Sequence, residues 1–133
     1  MASDGSDGQS PRDELERVLS SASFARSVRV SKLLRYLVER QIEGKEDELK
    51  ESIIGVEVFG RTPDYDPKLD STVRSEAVRL RALLSRYYAT EGSRDPLVIE
   101  LPKGGYVPRF RRPDQMKLKR PPVDERLENK STR

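Results

Sequence analysis

The stretch 70–88, DSTVRSEAVRLRALLSRYY, contains neither glycine nor proline and carries a regular apolar repeat. Apolar residues recur there at intervals of three and four positions, which is the spacing of one buried helix face. Either Asp70 or Ser71 can accept a hydrogen bond from the unpaired amides of the first turn. The pattern predicts an amphipathic helix over 71–88. Its core-facing residues are Val73, Ala77, Leu80, Leu84 and Tyr87.

The side chains at the centre of the opposite helix face are short or apolar, and arginines border them on both sides. At about 100° per residue, the outward positions are Ser75, Val78 and Ala82. The bordering residues are Arg74 and Arg81 on one side, and Arg79 and Arg86 on the other. Such a face can approach a polyanion closely, and the DNA major groove admits one α-helix and offers acceptors to arginine. The alternative interpretation is an ordinary surface helix with a solvated charged face.

The chain ahead of position 60 predicts further helices. Ser10, Pro11 and two acids form a helix start. A second helix begins at Ser27 or Ser31 and runs to Ile42, with an apolar stripe wide enough for a central core helix. The segment 52–59, SIIGVEVF, is compatible with a strand or a short buried helix, and we favour the helix.

A β-hairpin is predicted after the arginine-rich helix. Its strands are LVIELP and YVPRF, joined by KGG. Gly104 and Gly105 supply the positive φ of a tight turn, and Pro108 confines the second strand to an edge. Lys103 lies at the tip of the hairpin. Arginines at its exit are Arg109, Arg111 and Arg112.

Composition sets the boundaries of the ordered domain. Apolar residues make up 34% of the chain and charged residues 37%, a balance that leans toward disorder. The apolar residues concentrate between Leu15 and Phe110, so we expect one ordered domain with loose ends. The predicted divisions are a disordered segment 1–10, a domain 11–112 and a flexible basic tail or linker 113–133. The fold class expected is mainly α with a C-terminal β-hairpin.

Several functional classes are disfavoured by the residues that the chain lacks. There is no cysteine and no histidine, so disulfides, the usual zinc ligands and the usual general base are missing. We therefore predict no enzymatic activity, no cofactor and no metal. The sequence shows neither a signal peptide nor a membrane-spanning run, so the expected location is the cytoplasm.

Helices followed by a basic-tipped hairpin are the order of a winged helix-turn-helix, and the segment 50–110 resembles the OmpR/PhoB-type winged-helix DNA-binding domain. The matching blocks are the helix 52–59 with Gly60, the loop Asp64-Tyr65-Asp66-Pro67, the Arg79-Leu80-Arg81 core of helix 73–84, and Lys103-Gly104-Gly105-Tyr106 in the hairpin. The chain departs from that family in its helical N-terminal part, where the family has a small sheet, and in lacking a receiver domain. Variants of this kind stand ahead of membrane or repeat segments in larger bacterial proteins.

The resemblance implies sequence-specific binding of double-stranded DNA and transcriptional regulation in the bacterial cytoplasm, at the nucleoid. It places helix 71–88 in the major groove and hairpin 98–110 as the wing. Candidates for base contact are Arg74, Ser75, Val78, Arg79, Arg81 and Ala82, with Arg79 first among them. Candidates for phosphate or wing contact are Arg86, Lys103, Gly104, Arg109, Arg111 and Arg112. Some relatives also touch RNA polymerase through the loop, which raises it as a further partner.

Three alternatives stay open. The same fold can serve as a protein-interaction module that docks an acidic partner. Arg81 can instead form a salt bridge to an acid on the loop or the first helices. The apolar surplus of residues 15–42 is a candidate face for a homodimer.

Overall fold

The computed structural model describes residues 10–113 of the chain. Its elements are α1 (Pro11–Leu19), α2 (Ala22–Ala25), α3 (Val28–Ile42), a 3₁₀ turn (Glu46–Glu48), α4 (Glu51–Glu57), α5 (Thr72–Ala89), β1 (Val98–Glu100) and β2 (Arg109–Arg111). The chain is thus mainly helical with a small antiparallel hairpin, which confirms the coarse fold class. Apart from Ser10 and Pro113, the predicted loose ends 1–10 and 113–133 lie outside the described residues.

Helix α3 lies at the centre of the core, as its wide apolar stripe predicts. It packs against α1 on one side and against α5 on another. Four consecutive apolar positions of its stripe are fully or almost fully buried: Leu33, Leu34, Leu37 and Val38. Burying a side chain of this size contributes about 1.5–3 kcal/mol. No helix among residues 10–113 has the length and apolarity needed to cross a membrane.

Most apolar residues of segment 15–42 are buried in the core of this chain. Leu15, Val18, Phe24 and the stripe of α3 all belong to the core cluster. Within that segment the large apolar side chains left exposed are Val28 and Ile42. The apolar surplus that suggested a dimer face is therefore accounted for by the core of a single chain.

Helix α5 begins at Thr72, one residue after the predicted start. The Asp70 carboxylate accepts from the amide of Thr72 at 3.0 Å, so Asp70 rather than Ser71 provides the side-chain cap. All five predicted core residues of this helix are buried, between 0% and 4% exposed. The helix extends to Ala89, one residue beyond the prediction.

The segment 52–59 is helical, as favoured, with α4 covering Glu51–Glu57. A long loop then leads to α5, and it is held to α4 and to Asp70, which caps α5. The Arg61 amide donates to the carbonyl of Gly55 at 3.0 Å, and the Tyr65 hydroxyl donates to the carbonyl of Asp70 at 3.0 Å. The Tyr65 ring lies directly over Gly55, where a Cβ would come closer than 3 Å to three ring carbons. Gly55 is therefore required by close packing.

The hairpin differs from the tight turn that the KGG motif predicts. Its register pairs Val98 with Arg111, Ile99 with Phe110 and Glu100 with Arg109, so an eight-residue connection joins the strands. Of the two glycines, only Gly104 has a positive φ, at 90°. Pro102 and Pro108 lie in this connection and have no N–H to offer a ladder. The pairing therefore stops short of the tip.

A buried polar cluster ties α1 to α5 and to the start of the hairpin. The Glu14 carboxylate, fully buried, accepts from the Tyr88 hydroxyl at 2.8 Å and from Arg17 Nη2 at 2.8 Å. The Tyr88 oxygen in turn accepts from the amide of Ile99 at 2.9 Å. Burial, followed by the neighbouring carboxyl of Asp95, raises the pKa of Glu14 to about 7. The Glu14 carboxyl therefore binds a proton more tightly in the folded chain than in the unfolded chain.

We expect Gly55→Ala to destabilise the fold by about 1–3 kcal/mol, because the added methyl overlaps the Tyr65 ring. Gly105→Ala is the matched control, since nothing lies within 4 Å of its Cβ position and its φ is not positive. Urea unfolding measures both. Equal midpoints for the two variants would contradict the packing role of Gly55.

We expect the stability of the wild type to fall by about 3 kcal/mol as the pH rises from about 4.5 to about 8 through the titration of Glu14. The reason is that the folded state holds this proton up to a pKa of about 7, above the ordinary value of 4.5. Below pH 4.5 the contribution is fully present. Urea unfolding across this pH range measures it, and in Glu14→Gln the decrease should be lost. An undiminished decrease in the variant would show that another group is responsible.

Candidate nucleic-acid interface

The solvent face of α5 is free of negative charge. Its central residues Ser75, Val78 and Ala82 are exposed, with Val78 at 63%. The one carboxylate within the helix, Glu76, is only 7% exposed and points to the α3 side, where it pairs with Arg29. A polyanion can therefore approach the face without meeting a carboxylate of the helix.

Two predicted cations of this face are unpaired. Arg79 and Arg86 are exposed, and within residues 10–113 neither side chain forms a hydrogen bond or an ion pair. Both lie on the edge of α5 that faces away from the hairpin, as their angular positions require. Each guanidinium keeps its full set of donors for a partner.

Arg74, in contrast, is already engaged. Its Nη1 lies 2.6 Å from the Glu51 carboxylate and 2.9 Å from the carbonyl of Pro67. The second oxygen of Glu51 accepts from the Tyr106 hydroxyl at 3.3 Å. Glu51 therefore links the start of α4 to α5 and to the hairpin connection, and Arg74 serves this junction.

Arg81 has a role within the chain that neither of its two predictions described. Its guanidinium donates to three carbonyls of the hairpin connection, those of Leu101 at 3.0 Å, Pro102 at 3.2 Å and Gly105 at 3.1 Å. Within residues 10–113 it contacts no acid, and its donors are directed at the hairpin connection. The physical reason is that the connection has carbonyls without ladder partners, and Arg81 lies on the flank of α5 beside them. Arg81 therefore fixes the hairpin to α5.

The cations of the hairpin divide in the same way. Lys103 and Gly104 are exposed at its tip, and the exposed side chains of Lys103, Arg109 and Arg112 have no polar partner among the described residues. Arg111 is held by Glu100, with Nε at 2.6 Å from the carboxylate. A groove of about 730 Å³ separates α5 from the hairpin, and Lys103 and Arg109 lie along it.

The start of α5 is held by a group of residues whose positioning role the sequence patterns did not reveal. Arg61 donates to the Asp70 carboxylate at 2.8 Å and to the Thr72 hydroxyl at 2.6 Å. The hydroxyl and the amide of Thr72, together with Arg61, lower the pKa of Asp70 to about 2. The alternating acidic and basic residues of this loop indicate ion pairs, but the sequence does not identify which residues pair with each other. Arg61, Tyr65 and Glu51 are the positioning residues missed.

Comparison of the chain with protein-family models, with curated proteins and with solved structures found no match in any of the three. What this surface can bind therefore follows from its own geometry and charge.

We expect Arg81→Ala to destabilise the fold by about 2–3 kcal/mol, because hydrogen bonds from a charged group to three carbonyls are lost together. Amide hydrogen exchange should accelerate in 98–111 more than in α3. Arg86→Ala, which removes an equal charge from the same helix, should change stability by less than about 0.5 kcal/mol. Unchanged exchange in the hairpin of Arg81→Ala would refute the anchoring role.

Proposed function

We propose that this chain is a sequence-specific binder of double-stranded DNA that regulates transcription, built as a winged helix-turn-helix. In this proposal α4, the following loop and α5 form the helix-turn-helix, and the hairpin 98–111 is the wing. The observation that carries it is the outer face of α5. That face has no exposed carboxylate among the α5 residues and bears Arg79, whose side chain has no polar partner within residues 10–113. It lies beside a cationic hairpin fastened to the same helix.

The proposal assigns base contact to the centre of α5. Arg79 is the foremost candidate, because a bidentate arginine–guanine pair contributes about 1–3 kcal/mol of discrimination. Ser75 is short enough to let the helix approach, and Val78 and Ala82 can contact thymine methyl groups. Arg74 and Arg81, also predicted for base contact, are better assigned to holding α5 and the hairpin in place.

Phosphate contact falls to cations that have no partner within the described residues. These are Arg86, Lys103, Arg109 and Arg112, and the exposed Gly104 lets the hairpin tip come close to the backbone. Such contacts position a protein on the duplex without reading its sequence. Arg111 is engaged with Glu100 and contributes charge to the wing rather than a separate contact.

The OmpR/PhoB resemblance supports the same reading, and with it a place at the bacterial nucleoid. The loop 58–71 is longer than the short turn of a simple helix-turn-helix. Its bracing by Arg61 and Tyr65 supports the idea that a long loop can still position a recognition helix. RNA polymerase as a partner of this loop stays a prediction from the resemblance.

A second candidate function is a module that docks an acidic protein. It is favoured by Leu69, which is 87% exposed three positions before the start of α5, and by the exposed Val78 on the helix itself. Apolar residues bordered by cations suit an acidic, partly apolar surface. This candidate predicts weak, salt-sensitive DNA binding without sequence preference.

The experiment that separates the two is selection from random duplexes at physiological salt. We expect an enriched motif. Retention of duplexes without enrichment, or no retention at all, would favour the docking module.

Two variants test the assigned roles. Arg79→Ala should relax the selected motif at one position at a loss of about 1–3 kcal/mol, because a base contact is removed. Lys103→Ala should weaken binding to all duplexes alike and reduce the salt slope by about one. Both side chains are exposed, so both variants should unfold at wild-type urea concentrations. Binding unchanged in both would contradict the roles proposed for α5 and the hairpin.

A further inference from the structure

A second cationic cleft lies between the start of α3 and the end of α4. Its volume is about 720 Å³, and it is lined by Arg29, Lys32, Glu57, Phe59, Gly60 and Arg61. Three of these residues are cations and one is an acid. Arg61 is engaged with Asp70, so Arg29 and Lys32 are the cations that remain to face a ligand.

Arg29 is held in place but still open to solvent. Its guanidinium lies over the Phe59 ring at 5.3 Å from the centroid, and its Nε is 3.8 Å from the Glu76 carboxylate. The side chain nevertheless stays 57% exposed. The other oxygen of Glu76 is buried and has no hydrogen-bond partner in the described chain, so Arg29 is the ion-pair partner that balances this carboxylate. Anchored on two sides, Arg29 keeps further donors for an anion.

Lys32 lies one turn further along α3 on the same side. It is exposed, and no hydrogen bond or ion pair of its side chain occurs within residues 10–113. A lysine ammonium of this kind is a mobile point charge that suits a phosphate oxygen.

The cleft flanks α5 on the side opposite the hairpin. Glu76, which pairs with Arg29, projects from one flank of α5, whereas Arg81, which binds the hairpin, projects from the other. The exposed residues Ser75 and Ala82 lie between these flanks, as the helical spacing of about 100° per residue requires. Cations therefore stand on both sides of the carboxylate-free face.

We infer that this cleft binds a backbone phosphate of the duplex whose major groove receives α5, through Lys32 and Arg29. The inference rests on the proposed function. The major groove is about 12 Å wide and an α-helix with its side chains is about 10–12 Å across, so a helix in the groove has a phosphate strand on each flank. The hairpin contacts one strand, and the cleft contacts the other.

The test is the salt dependence of binding to the selected duplex, measured for Lys32→Ala. Loss of one phosphate contact should reduce the slope of log K against log salt by about 0.9, which is a five- to tenfold weaker affinity near 0.1 M salt. The selected motif should stay unchanged, and Lys32→Arg should restore the slope. Lys45→Ala is the control, because it removes an exposed lysine charge beyond the far end of α3, roughly 20 Å away along the helix axis, where the lysine pairs with Glu43 at 3.8 Å.

The outcomes separate the inference from the function on which it rests. A wild-type slope in Lys32→Ala, with Arg79→Ala still altering the motif, overturns the cleft contact and leaves DNA reading in place. Equal losses in Lys32→Ala and Lys45→Ala also overturn it, since they would reflect net charge alone. A wild-type chain that retains no duplex overturns both proposals.

Discussion

The packing of α5 against α3 decides which side of α5 meets solvent. Val73, Ala77, Leu80 and Leu84 are buried against the core, and a helix that buries this stripe has its remaining residues fixed in direction. The face with Ser75, Val78 and Ala82 must then point outward. The same packing places the hairpin along one flank of α5 and the start of α3 along the other. Without this interface, the outer face of α5, the hairpin and the start of α3 would lose the relative positions that the proposed function needs.

Around that core, charged side chains divide into those that build the surface and those that stay available. Arg61, Arg74, Arg81 and Arg111 each bind a carboxylate or carbonyls within the chain. Arg79 and Lys103 bind none within the described residues. Some arginines already donate hydrogen bonds to partners within the chain, and they would have to break those bonds to reach a ligand. Hydrogen bonding within the chain therefore distinguishes structural arginines from candidates for ligand contact. By this criterion, Arg74 and Arg81 hold α5 and the hairpin in place and are poorer candidates for the predicted base contact.

The buried cluster around Glu14 extends this support to the C-terminal end of α5. Tyr88 connects the Glu14 carboxylate to the backbone of β1, and Tyr87 donates to Asp95 at 2.6 Å. The end of α5 is thereby joined to α1 and to the start of the hairpin. Because a buried polar group without its partner is costly, these contacts hold the elements in one arrangement.

Sequence by itself determined the longer helices, the presence of a C-terminal hairpin and most of the core. The helical repeat of 70–88 identified all five buried apolar residues of α5, and the apolar stripe of α3 was predicted as core and is buried at Leu33, Leu34, Leu37 and Val38. Periodicity succeeds here because the apolar pattern and the helical period act locally. Only the tertiary structure decided that Arg81 anchors the hairpin, that Gly55 admits the Tyr65 ring, and that the hairpin connection is eight residues long. Each of these depends on contacts between residues that are far apart in the chain. Such a contact, for example between Arg81 and Leu101, produces no periodic pattern in the sequence.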